Sequence, residues 1–161
     1  MGSFSLLILT IGIPGAGKST WVKEYQKQHP QVHVVSTDQI RKELTGSEQC
    51  LDPSKNHEIH EEARRRVKEI ISNPEEYGDK YNLGPEIIVD STNVEIEEWL
   101  SYKNLDPSIM IAKVFDITVE EAVNRQKTRE RQVPKEIIEE KWFLLKHNMQ
   151  FLSKIFNLII N

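Results

Sequence analysis

The chain has 161 residues, 38% hydrophobic and 29% charged, which excludes a disordered or fibrous chain and suits one folded, soluble domain over residues 1–161. Its 21 Lys and Arg against 25 Asp and Glu give a net charge of −4, which argues against long nonspecific duplex binding, because proteins that bind this way are usually basic. A lone cysteine, Cys50, excludes an internal disulfide framework; with no apolar stretch near the roughly 20 residues of a bilayer span, the expectation is a cytoplasmic protein.

The start, MGSFSLL, has neither the basic n-region nor the cleavage site of a signal peptide. Gly2 does not complete a myristoylation signal, because Leu6 stands where Ser or Thr is wanted. Phe4 to Ile11 is a continuous apolar run of the kind that forms a strand buried on both faces. Lys18 to Gln28 reads as a helix stopped by His29-Pro30, and Val32 to Val35 as a second strand. Thr37 reads as the cap of a helix carrying Ile40 and Leu44 on one face. Residues 45–56 read as a loop, and His57 to Ile71 as a helix with Ile59, Ala63, Val67, Ile70 and Ile71 on its apolar side. Asn73 to Pro85 is polar and reads as a loop. Glu86 to Val89 is a strand, Asn93 a candidate cap for a helix to Lys103, and Ile109 to Phe115 a further strand. Thr118 and Glu121 have capping-box spacing for a helix to about Lys127. Pro134 opens a helix to about Leu152, and Phe156 to Ile160 closes the chain as a short edge strand. Alternating strands and helices predict a parallel sheet covered on both faces. Ligands of such sheets bind beyond the strands' carboxyl ends, so the segments after Ile11, Val35, Val89 and Phe115 are where chemistry is sought.

The first of these is GIPGAGKST, Gly12 to Thr20, which fits G-x-x-x-x-G-K-[ST] at Gly12, Gly17, Lys18 and Ser19. A glycine-rich turn, Gly12-Ile13-Pro14-Gly15-Ala16-Gly17 with the helix start through Thr20, lets its backbone N–H groups (Pro14 has none) converge on an anion, and the helix N-terminus adds its dipole. Lys18 supplies a positive charge for the β- and γ-phosphates, and Ser19 a hydroxyl for magnesium. The pattern points to ATP or another nucleoside triphosphate, with Mg2+; the loop grips phosphates and says nothing of the base.

After the second strand, Asp38 and Arg41 stand one helical turn apart. A carboxylate there can take a proton from an attacking hydroxyl, and an arginine can grip an anionic acceptor in bidentate fashion; the plainer alternative is a dipole-complementing Asp with a solvated Arg. After the third strand, Asp90 is placed like a Walker B acid, to hold magnesium through a water or to orient the acceptor, unless it only makes an Asx turn with Asn93. After the fourth, NRQKTRERQVP carries Arg125, Arg129 and Arg131, with Arg125 and Arg129 spaced to share a helix face. Such arginines can close over a triphosphate and neutralise transition-state charge, or form a basic solvated face.

Taken in order, GIPGAGKSTW, STDQIR, VDSTN and KVFDITVEEAVNRQKTRERQVP resemble the P-loop kinase domain of polynucleotide 5′-kinases over about residues 6 to 145. The resemblance implies an adenylate-kinase-like α/β fold: a parallel five-stranded sheet in the order 2-3-1-4-5, helices on both faces and an arginine-bearing lid. It implies that Lys18 and Ser19 act on donor phosphates and magnesium, that Asp38 is the general base for a 5′-hydroxyl, that Arg41 holds the acceptor's 3′-phosphate, and that Arg129, with Arg125 a turn earlier, lies on the donor phosphates. The implied partners are a nucleoside triphosphate and a nucleic-acid 5′ end, with no membrane. The expectation is a kinase domain without the phosphatase domain of bifunctional relatives, and residues 46–84 depart from the family pattern. A kinase for a small metabolite, nucleoside or antibiotic hydroxyl, and a nucleotide-binding regulatory module, are the alternatives.

Secondary signals read more plainly. Arg64, Arg65, Arg66 and Lys68 lie among Glu61, Glu62 and Glu69 and read as a mixed solvated face. His57 and His60 lack further metal ligands nearby. Trp21, Trp99 and Trp142 read as packing residues before base-stacking ones, and Cys50 offers no basis for a nucleophile.

Overall fold

The computed structural model describes residues 4–48, 52–81 and 83–161; Gly2 and Cys50 lie outside them. The elements are β1 (Leu6–Ile11), α1 (Lys18–Gln28), β2 (His33–Ser36), α2 (Thr37–Thr45), α3 (Asn56–Ser72), α4 (Pro74–Tyr77), β3 (Glu86–Asp90), α5 (Ile96–Lys103), β4 (Ile109–Val114), α6 (Val119–Gln126), α7 (Lys135–Asn148), α8 (Leu152–Ile155) and β5 (Leu158–Ile160), with 3₁₀ turns at Pro53–Lys55 and Met149–Phe151. All strand pairs are parallel and the sheet order is β2-β3-β1-β4-β5, as the resemblance implies. Register sets Leu6 beside both Glu86 and Ile109, and Ser36 beside Asp90. The carboxyl ends of β1, β2 and β3 therefore finish along one edge.

β1 is buried on both faces because it is central. Leu7, Leu9 and Ile11 pack into the larger core with Ile40 of α2, Ile59, Ala63 and Val67 of α3, Trp99 and Tyr102 of α5, and Ile138 and Leu145 of α7. Ile8 faces the other way, into a smaller cluster with Val22 of α1, Val32 and Ile88. The strand starts at Leu6 rather than Phe4, because Ser5 instead exchanges hydrogen bonds with Ser108: each backbone N–H donates to the other's hydroxyl, at 2.9 and 3.1 Å.

Several local expectations need correction. Ser36, not Thr37, caps α2, its hydroxyl accepting from the Gln39 N–H at 3.3 Å. Asn93 caps nothing. It is fully buried with φ 47°, its side-chain amide donates to the Thr10 carbonyl at 2.8 Å, and its backbone carbonyl accepts the Trp99 indole N–H at 2.5 Å; the helix begins at Ile96. At α6 only half of the capping box forms: the Thr118 hydroxyl accepts from the Glu121 N–H at 3.1 Å, while the Glu121 carboxylate turns to Arg125. The helix opened by Pro134 ends at Asn148, and the apolar spacing beyond it is taken up by a 3₁₀ turn and α8. The expected loop after Asn73 holds the short α4, with Pro74 at its first turn.

Candidate active site

β1 ends at Ile11, and from Gly12 the chain wraps into a loop before α1. Two positions need glycine. Gly15 has φ 88°, and a Cβ there would meet the Gln126 amide at 2.9 Å and the Ala122 carbonyl at 3.1 Å; Gly17, at φ 97°, is the left-handed residue that starts α1. Lys18 is 8% exposed. Its ammonium curls back over the loop, donating to the Gly12 and Ile13 carbonyls at 2.8 Å each. Burial lowers its pKa to about 8, with Arg129 adding to the effect and Asp90 and Asp38 opposing it.

β3 delivers Asp90 beside this loop. The Ser19 hydroxyl donates to Asp90 Oδ2 at 3.0 Å, and burial holds the Asp90 carboxyl above its usual range. A hydroxyl and a buried carboxylate meeting at a phosphate loop form the all-oxygen, few-ligand donor set that magnesium takes, so these residues fit the ion that the sequence implies. Thr10 fastens β1 to the start of the next loop, its hydroxyl donating to the Ser91 carbonyl at 2.9 Å and accepting from the Ser91 N–H at 3.2 Å. This crossing of β1 and β3 is where their two loops part, at the strand switch point expected to bind ligands.

A cleft of about 610 Å³ opens here, lined by Pro14, Gly15, Gly17, Lys18, Ser19 and Thr20, and also by Asp38, Arg41, Asp90, Arg125, Arg129 and Arg131. Asp38 and Arg41 form the pair that their spacing suggests, Arg41 Nη1 donating to Asp38 Oδ1 at 2.6 Å. Arg41 is 7% exposed, so it is not the solvated surface charge of the plainer alternative. Arg131 Nη1 donates to the same Oδ1, also at 2.6 Å; a contact across 93 residues leaves no signal in spacing, so the sequence assigns Arg131 no partner. Arg125 donates to the Gly15 carbonyl at 3.0 Å and to Glu121 at 2.5 Å, so α6 leans on the phosphate loop. Arg129 does not share a helix face with Arg125, because α6 stops at Gln126; it stands in the connector of residues 127–134 and reaches the same cleft.

The remaining candidates fall outside this constellation. Arg65 is tied to Glu62 and Glu69, and Arg66 to Glu62 and Glu43, the mixed face that their neighbours suggest. Trp99 is fully buried, while Trp21 packs on Tyr25 and Phe115 and Trp142 on Phe143. Among the described residues no group of three or more His, Cys, Asp or Glu is placed to hold a metal, and no helix is long and apolar enough to cross a membrane.

Known proteins share this architecture. A chain in the structure of the Pnkp1/Rnl/Hen1 RNA repair complex is 22% identical with a TM-score of 0.74, covering 93% of this chain and 47% of that one. A chain in a structure of the Pnkp1/Rnl/Hen1 complex is 23% identical with a TM-score of 0.62, over 83% and 42%. A gluconokinase from Sinorhizobium meliloti 1021 is 14% identical with a TM-score of 0.57, over 89% and 76%. The present chain thus spans less than half the length of the two repair-complex chains, and what it shares with all three is the P-loop kinase fold. A family model described as an AAA domain matches residues 7–152. Family model, sheet order and phosphate loop agree: the chain belongs to this AAA domain family and has a P-loop kinase-like fold.

Proposed function

We propose that this chain is a cytoplasmic, ATP- and magnesium-dependent phosphotransferase, one P-loop kinase domain over residues 1–161, that moves the γ-phosphoryl group to the 5′-hydroxyl end of a DNA or RNA strand. The observation that carries this reading is the convergence of Lys18 and Asp38 on one cleft. A switch that only binds nucleotide needs no carboxylate and arginine pair facing its phosphate loop.

Lys18 and the loop amides hold the donor phosphates, and Arg129 offsets the charge that spreads over the γ-phosphoryl oxygens. Asp38 takes the hydroxyl proton as the hydroxyl oxygen bonds to the γ-phosphorus; the bond from that phosphorus to the β,γ-bridging oxygen breaks and the nucleoside diphosphate leaves. Arg41 grips the acceptor's 3′-phosphate. Ser19, and Asp90 through a water, would hold magnesium, which when bound would supply charge neutralisation for the phosphoryl group in transfer. The fold shared with chains of an RNA repair complex supports a strand end as acceptor, and a net charge of −4 suits a contact with few phosphates. The likeness to a gluconokinase favours the second reading, a small-metabolite, nucleoside or antibiotic hydroxyl.

The deciding assay offers γ-labelled ATP to a panel of 5′-hydroxyl DNA and RNA oligonucleotides, nucleosides and gluconate. Label is expected on the oligonucleotides, with Asp38→Ala slowing transfer at saturating ATP by about 10²- to 10⁴-fold. Label in the small-molecule lanes alone selects the second reading, and slow hydrolysis with no acceptor labelled removes the transferase.

A further inference from the structure

We infer that Arg131 is a positioning residue: through Asp38 it ties the connector that carries Arg129 to the acceptor wall, so one carboxylate serves both sides of the cleft. The inference rests on the proposed function, since it takes the cleft to hold a triphosphate.

The 127–134 connector is closed at its base by the Val133 N–H, which donates to the Gln126 side chain at 3.1 Å. Beyond that closure, the bond from Arg131 to Asp38 is the one hydrogen bond among the described residues that takes this connector to an element other than α6 and α7. Arg129 lies two residues before it and has no such bond of its own. Where the Arg129 guanidinium sits is therefore governed by what holds Arg131. The anchor itself is firm, because Arg41 holds the same Oδ1 at 2.6 Å from within α2. With both guanidiniums on Oδ1, Oδ2 is the oxygen left to face a hydroxyl. The pair is half-shielded, with side-chain exposures of 23% for Arg131 and 42% for Asp38, so solvent screens it only in part.

The test exploits a sign. A carboxylate that acts only as a base has no reason to hold the donor, and removing its negative charge strengthens triphosphate binding by Coulomb's law. A tether predicts the opposite. Binding of a non-hydrolysable ATP analogue with magnesium, without acceptor, is measured by calorimetry for wild type, Asp38→Ala, Arg131→Ala, the double variant and Lys18→Ala. Asp38→Ala is expected to weaken binding on the order of fivefold in the wild-type background and not at all in the Arg131→Ala background. Asp38→Asn, which keeps the side-chain shape, repeats the series if the alanine variant unfolds. Binding by Asp38→Ala as tight as wild type or tighter, or equal weakening in both backgrounds, overturns the tether while leaving the phosphate site intact. No binding by wild type, or binding indifferent to Lys18→Ala, overturns the proposed function and the tether with it.

Discussion

Lys18 and Glu98 are both ionisable groups drawn out of water, and they answer to different things. Lys18 has two carbonyl partners and a phosphate loop around it. Glu98, on α5, has His60 at 3.9 Å and a buried Oε2 with no hydrogen-bond partner among the described residues. Burial, with the neighbouring Glu95 adding to it, pushes the Glu98 pKa up to about 7 from an ordinary 4.5. The folded chain thus favours the protonated acid. Its contribution to stability is complete below about pH 4.5 and is lost as pH rises through about 7. Glu98→Gln mimics the neutral acid, so its thermal midpoint should exceed that of wild type at pH 8 by on the order of 5 °C, with the gain gone near pH 4.5. Paired melting curves across that range check this, and a gain that does not change with pH would refute the burial argument. None of this was legible in the sequence, where Glu98 is one acid among several on an amphipathic helix. The phosphate loop was legible because its spacing is local: Gly12, Gly17, Lys18 and Ser19 act through backbone angles and a helix start within nine residues.

At the scale of elements, caps and breaks decide where the helices run. The Thr118 hydroxyl satisfies the Glu121 N–H, so α6, which leans on the phosphate loop through Arg125, depends on one cap. Thr118→Ala should destabilise the fold by about 1 kcal/mol, seen as a lower urea midpoint with an unchanged slope; an unchanged midpoint would mean that α6 is held by packing alone. Strands and helices were legible where the apolar pattern is long, as in β1 and α3, while α1 was legible from the His29-Pro30 stop behind it. The misreadings share a cause. Asn93 looks like a helix cap by type, yet tertiary packing uses its amide to stitch β1 to the β3 loop. The end of α7 was invisible because Met149, Phe151 and Leu152 continue the apolar spacing through the change to a 3₁₀ turn. Asp38 and Arg41 were legible as a pair because a helical turn joins them, whereas Arg131 is joined to Asp38 only by the fold.

At the scale of the molecule, the parallel sheet brings the phosphate loop, Asp38, Asp90 and the arginine connector to one edge from four separate stretches of chain. A ligand spanning that edge bonds to the folded chain and not to the unfolded one, so binding adds to stability by mass action. ATP with magnesium at a hundred times its dissociation constant should stabilise the protein by about 2.7 kcal/mol, a rise of several degrees in the thermal midpoint for a chain of this size. Lys18→Ala should lose most of that rise; a variant that keeps it would show that the nucleotide binds elsewhere.

The two carbonyl bonds of Lys18 carry a thermodynamic consequence. An ammonium with two of its three donors already on Gly12 and Ile13 has one left for a phosphate, and every further bond to it trades one acceptor for another, so the heat released on binding is far smaller than a bare attraction of opposite charges suggests. Selectivity for a polyanion then comes from how many such trades one molecule completes at once, which favours a longer phosphate tail over a shorter one.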